Sequence, residues 1–347
     1  MALDAHILSV DAEAFTLLSY KWRDALRAAA LASVLFLSPA LASANERPSD
    51  FVMVLNSRDD SMSLINPRDY KEVERVPIGK GPHHLLPTPD GKYLVVANAS
   101  ANDLVLVNPV TGKIEKRIPR IADPYHLGFS RDGRWFVVNG NRLNRVDIYH
   151  YSNLDFKVAA RLDLPSTPSH MTFAKNNTVY VTLQGTNELV AIDLPTQKVL
   201  WKVATGPAPA GVWLTPNGKK LVVAITGADY VQVFDAASGE KLEQFKTGKG
   251  AHNFLPLGNG RGLLLSNRVE GSISLIDENT FKVTSFLKVK GGPDDMELSA
   301  DGKELWITLR WRNRVAVVDM VTRKIKKYIK VGRSPHGIYR NDHTPRV

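Results

Sequence analysis

Residues 79–118, GKGPHHLLPTPDGKYLVVANASANDLVLVNPVTGKIEKRI, hold one complete structural unit that the rest of the chain repeats. A short apolar run starts at Pro82-His83-His84 and ends at an Asp90-Gly91 turn. Residues 93–98 follow, then a polar loop at 99–103 and a second run at 104–108. A turn at 109–112 leads into 113–118, where charged and apolar residues alternate. Asp-Gly and Thr-Gly between short β-branched runs are hairpin signals, because glycine accepts the positive φ that tight turns demand. The unit predicts a four-stranded antiparallel meander.

The copies keep a fixed step. Counterparts of Pro82 are Pro124, Pro168, Pro209, Ala251, Pro293 and Pro335, at intervals of 42, 44, 41, 42, 42 and 42 residues. The Asp90-Gly91 turn recurs as Asp132-Gly133, Asn176-Asn177, Asn217-Gly218, Asn259-Gly260 and Asp301-Gly302. A period of about 40–45 residues with four strands per unit is that of a propeller blade. Six units are complete and the seventh is split: 335–340 supplies its first strand and 51–76 the other three. The phase agrees, since Asn56 precedes Asn98, and Asn66-Pro67 precedes Asn108-Pro109, by 42 residues. The expected fold is therefore all-β, a seven-bladed β-propeller of four-stranded antiparallel blades. Its ring closes by pairing the N- and C-terminal strands in one blade, which removes exposed edges.

The chain has 347 residues, 44% of them hydrophobic, which is enough apolar content to exclude disorder for most of its length. It has no cysteine. Disulfides, thiolate metal sites, a catalytic cysteine and a covalently attached c-type haem are thereby excluded. Residues 1–44 stand outside the repeat. Lys21, Arg23 and Arg27 precede an apolar run at 28–37, then Ser38-Pro39 and Ala42-Ser43-Ala44. That order reads as a secretory signal cut after Ala44, with an uncleaved amphipathic anchor as the alternative. Residues 1–20 are acidic and long for a signal. The expected organisation is an N-terminal extension and signal at 1–44 and a single propeller domain at 45–347. The mature protein would be periplasmic or secreted, and no transmembrane span would remain. Because the signal carries three basic and four acidic residues, its removal takes the formal charge from +10 to +11.

Strand alternation sorts the loops onto two faces. Turns after the first and third strands of each blade are short and form one face. Loops after the second strand, among them 139–145, 267–270 and 310–314, form the other, together with the start of each innermost strand. Function is expected there. One residue after the repeat proline the ring reads His83, Tyr125, Ser169, Ala210, His252, Asp294 and His336. Two residues after, it reads His84, His126, His170, Gly211, Asn253, Asp295 and Gly337. Six of the nine histidines fall in these two rings. The third position is apolar throughout (Leu85, Leu127, Met171, Val212, Phe254, Met296, Ile338) and is expected to pack between blades. Because successive strand residues point to opposite sides, one ring is expected to face the channel, and the second is favoured.

The chemistry of such rings is limited. Imidazoles from His84, His126 and His170 with Asp295 nearby suit a borderline divalent metal, which would be lost as exposed histidines protonate near about pH 6. Histidines and the loop arginines Arg142, Arg145, Arg268, Arg310, Arg312 and Arg314 together suit an anionic ligand. The competing reading makes the histidines ties between blades, bonded to neighbouring backbone. Trp311, set between arginines, could stack a sugar or a base, or lie as a lid over its own blade. Nucleic acid is not the expected partner of an exported protein; an unidentified ligand or an envelope protein is. The lysines Lys324, Lys326 and Lys327 read as a solvated rim. No HExxH, GxSxG, P-loop or dinucleotide fingerprint is present in the expected context, so no catalytic residue is assigned and binding is preferred to catalysis.

The units resemble the YVTN-type β-propeller repeat: a proline start, a TPDGK turn, strands such as Tyr180-Val181-Thr182-Leu183, and VxVxD-like strands ending at Asp235, Asp277 and Asp319. The resemblance spans nearly all of 51–340 and implies an exported propeller, since such proteins include surface-layer and envelope components. The histidines and arginines at the channel mouth are also similar in kind to those of d1-haem-binding propellers of nitrite reductase and its maturation proteins. That likeness implies a haem-type cofactor, and with it a redox, hydrolytic or cofactor-maturation role, as the alternative to simple binding.

Overall fold

The computed structural model describes residues 50–258, 260 and 262–342. Residues 1–44, read as extension and signal, and Asn259 of one repeat turn lie outside the described residues. The described chain forms 28 strands, numbered β1 to β28 in chain order, in seven four-stranded antiparallel sheets. In the second blade these are β4 (Pro82–Pro87), β5 (Leu94–Asn98), β6 (Asp103–Val107) and β7 (Ile114–Pro119). Each runs for five or six residues before a turn, too short for a helix to nucleate and rich in valine and leucine, which fit a pleated sheet.

The seventh sheet has the order β28-β1-β2-β3. There β28 (Pro335–Arg340) lies against β1 (Val52–Asn56), with Val52 opposite Arg340 and Val54 opposite Ile338. The split blade expected from the 42-residue phase is present, and the ring is closed by the two ends of the repeat.

Burial follows position within the blade. β5 and β6 are buried along their whole length, whereas β7 exposes most of its side chains. The core is seven apolar clusters, each shared by two neighbouring blades. The one across the closure joins Val52, Val54 and Ile338 to Trp306, Val315 and Val317. Each third-position residue of the inner strands falls in a different cluster, as expected: Met171, Met296, Leu85, Val212, Ile338, Leu127 and Phe254.

Two backbone features set the inner strands. The residue before each one has a positive φ in all seven blades: Gly81, Asp123, Thr167, Ala208, Gly250, Gly292 and Ser334. Only three are glycine, so the others, β-branched Thr167 above all, are held against their own steric preference. Each inner strand also carries one extra residue near its start. Pro82 pairs with Asn98 and the next pair is Leu85 with Val96, so His83 and His84 face Ala97 alone. The same shift recurs in the six other inner strands. Such bulges bend a strand and re-aim its side chains.

Candidate functional site: a histidine cluster at the centre of the ring

The bulge decides how the two rings are used. With strict alternation broken, imidazoles from both positions meet. Ring centroids lie 4.7 Å apart for His83 and His84, 3.8 Å for His83 and His336, and 4.5 Å for His84 and His336. The chain continues from His84 to His126 at 4.4 Å, to His170 at 5.0 Å, and to His252 at 5.0 Å. The two rings are nevertheless not separate: all six histidines form a single cluster. Gly211 stands in the second ring because a Cβ there would lie 2.3 Å from the His252 carbonyl oxygen.

Residues of the second ring border open space. A cavity of about 440 Å³ is lined at one end by His84, His126, Asn253 and Asp295. It then follows the inner strands through Leu86, Pro87, Leu255, Glu297 and Tyr339. Its lining therefore runs away from the long loops, toward the strand ends that lead into the Asp-Gly turns. On the loop side His252, Asp294 and His336 of the first ring form a seal, each no more than 1% exposed, while Tyr125 of the same ring stays partly exposed.

Asp294 anchors that seal. Arg268 donates to its carboxylate from Nε at 2.9 Å and again from Nη2, and Arg310 lies 3.3 Å from its second oxygen. Burial alone would raise the Asp294 pKa, but Arg268, with help from His336, His252 and Arg310, holds it well below the usual carboxylate range. Asp295 is likewise lowered: burial opposes the charge, and His336 and the Asn253 amide, which donates to it at 2.6 Å, outweigh that.

Five of the imidazoles, His83, His84, His126, His170 and His252, are pushed toward the neutral form. Desolvation pushes His83, His84, His170 and His252 well below their ordinary value, and neighbouring cations add to it. Burial brings His126 down to about 4. Neutral imidazole is the form that ligates metal. Three buried ring nitrogens, His84 Nε2, His126 Nδ1 and His170 Nε2, have no hydrogen-bond partner. The three side chains can bring one ligand nitrogen each within 4.8 Å of one another. Tetrahedral ligands at a zinc-nitrogen distance of 2.0–2.1 Å stand about 3.4 Å apart, so a small inward rotation would complete the set. Ties to neighbouring backbone or hydroxyl groups occur at part of the cluster. His83 Nδ1 lies 3.1 Å from the Tyr125 carbonyl, and His170 Nδ1 contacts Ser169 Oγ at 2.8 Å.

The arginines divide. Arg268 and Arg310 join the cluster through Asp294. Arg142 is taken by Asp123 at 2.8 Å and Arg145 by Asp147 at 2.8 Å. Arg312 and Arg314 stay exposed, and Trp311, 59% exposed, lies over Gly292 of its own blade. None of these five lines the cavity. The loop asparagines are used locally as well: Asn98 donates to Asp103, and Asn267 to Ser272 and Ser274. Residues that sequence reasoning missed are Glu297 and Tyr339, at the fifth position of their strands. Only the course of the cavity singles them out.

Comparison with known proteins agrees with the fold. No curated protein matches the chain in sequence. Among solved structures, a functionally unknown protein from Desulfotomaculum acetoxidans superposes with a TM-score of 0.73 at 14% identity, covering 84% of this chain and 99% of that one. Dihydro-haem d1 dehydrogenase NirN in complex with DHE gives 0.59 at 15% identity, over 84% and 75% of the two chains. Hydrazine synthase from Kuenenia stuttgartiensis gives 0.57 at 19%, over 74% and 88%. At these identities the likeness is one of fold. A family profile described as YNCE-like beta-propeller matches residues 22–346, in keeping with the YVTN-type resemblance of the repeats, and the chain belongs to that family.

Proposed function

We propose that this protein is an exported metal-binding propeller whose ion is held by His84, His126 and His170 at the inner end of the central cavity. One observation carries the reading: three neutral imidazoles from consecutive blades converge with unpartnered buried nitrogens. Burying polar nitrogens without partners is costly, and a shared cation removes that cost. Imidazole sets suit zinc, copper, iron or nickel, and three protein ligands leave a coordination position that the cavity can reach. Asp295, 3.7 Å from His84 Nδ1, would orient that ring and offset charge. Apart from the proposed ion, the charged side chains of the lining are Asp295 and Glu297, with no lysine or arginine among them.

The likeness in fold to NirN keeps a d1-haem-type cofactor as the second reading. The cavity lining speaks against it, because the carboxylates of such a group would meet no cationic side chain among the lining residues. The metal reading is therefore preferred, with binding rather than a reaction as its output.

The test is metal content. Metal-free protein titrated with Zn²⁺ or Cu²⁺ should bind tightly, and alanine at His84, His126 and His170 together should weaken uptake by about 100-fold or more, with the propeller still melting cooperatively. A triple variant that takes up metal like the parent would leave the histidines as ties between blades. Export rests on the basic–apolar–Ala-x-Ala order of residues 1–44. Mass spectrometry of the native protein should find its N-terminus at or near Asn45; a cytoplasmic form that keeps residues 1–44 would overturn the compartment.

A further inference from the structure

The cluster holds more donors than one ion can use. Six imidazoles and two carboxylates meet at the centre of the ring, whereas a protein-held zinc takes four ligands at most in a closed site and three in an open one. A second set, His252, Asp294 and His336, brings its ligand atoms within 4.8 Å of one another and shares no residue with His84, His126 and His170. His252 Nε2 and both nitrogens of His336 are buried without a hydrogen-bond partner.

His336 shows why this second set is unusual. Its Nε2 lies 3.6 Å from Asp294 Oδ2 and its Nδ1 3.5 Å from Asp295 Oδ2, so the ring stands between two carboxylates. Neither contact meets hydrogen-bond geometry, so both ring nitrogens face carboxylates in a fully buried place without a partner. His252 Nε2 faces the other Asp294 oxygen at 3.3 Å, longer than a charge-assisted hydrogen bond of about 2.7–2.9 Å. Lone pairs set around a common gap at these separations are the arrangement that a cation resolves.

We propose that the propeller holds a second metal ion on His252, Asp294 and His336, next to the first, so that its centre is a paired-metal site. The two sets adjoin through His84 and His336, with ring centroids 4.5 Å apart, and through His170 and His252, 5.0 Å apart. They differ in character. The first is all imidazole and opens on the cavity; the second is sealed, and its carboxylate is backed by Arg268 and Arg310. That backing offsets the charge of Asp294 while no ion is present, and makes the second position the weaker of the two.

This inference extends the metal reading above, and the experiment separates their failures. Metal-free protein is loaded with Zn²⁺, freed of excess by gel filtration, and assayed by elemental analysis. Two zinc ions per chain are expected, falling to one in the His252→Asn/His336→Asn variant. No retained zinc would overturn both readings; one zinc in the parent protein would overturn the second ion alone. Two that persist in the double variant would overturn the assignment to these residues. Should that variant fail to fold, Cu²⁺-loaded parent protein decides by electron paramagnetic resonance. Adjacent ions give a spin-coupled spectrum, and two isolated signals, or one, would overturn the pairing.

Discussion

Removal of residues 334–347 is expected to abolish cooperative folding at ordinary temperature, or to leave a protein that aggregates. The deletion takes away β28, the inner strand of the closing blade, and with it every backbone pair that β1 makes on that side. Ile338 leaves the cluster shared with Val315 and Val317, and Tyr339 leaves the one shared with Val96 and Val105. Losing two large buried side chains alone costs about 5 kcal/mol, against a whole-domain stability of about 5–15 kcal/mol. The bare edge of β1 is then a template for pairing with other chains. Thermal melting and size-exclusion chromatography read the outcome. A truncated protein that melts within a few degrees of its parent and stays monomeric would show that the ends do not hold the ring.

Acid is expected to destabilise the metal-free protein from about pH 6 downward, well above the range where carboxylates titrate. The unfolded chain takes up protons on its histidines near 6.5, while the folded state keeps His126 neutral to about 4 and His83, His84, His170 and His252 neutral well below 6.5. Between these values the unfolded state binds more protons, so stability falls as pH falls. His126 alone would contribute about 3 kcal/mol of that loss by pH 4. Asp294 and Asp295, with lowered folded values, add loss of the same sign at still lower pH. Denaturant melts of metal-free protein at pH 7, 6, 5 and 4 should show a midpoint that drops throughout. A midpoint unchanged from pH 7 to pH 5 would mean the imidazoles exchange protons freely and are not desolvated. This also moves the acid release of metal first expected near pH 6, which assumed exposed histidines.

How much of this was legible in the sequence depends on how far apart the deciding residues lie. Repeat length, strand count and the split blade were legible because each blade restates them at a step of about 42 residues, and turn chemistry is local. The gathering of six histidines was legible for the same reason: equal positions in equal blades reach equal heights. The contact between the two rings was not. Alternation said that His83 and His84 should point apart, and the bulge opposite Ala97 brings them together. The arginines could not be sorted either. Arg268 and Arg310 look like Arg142 in sequence, yet they differ because both meet Asp294, which lies 26 residues after Arg268 on the next blade and 16 residues before Arg310 on its own.

The sequence by itself determined the architecture, the closure and the residue types at the centre of the ring, since period and pattern are properties of the chain. Only the tertiary structure decided which nitrogens lack partners, which carboxylates are neutralised and toward which end the cavity runs. Those depend on burial and on distances of a few ångströms between blades, which arise only once all seven stand together and water has been excluded from between them.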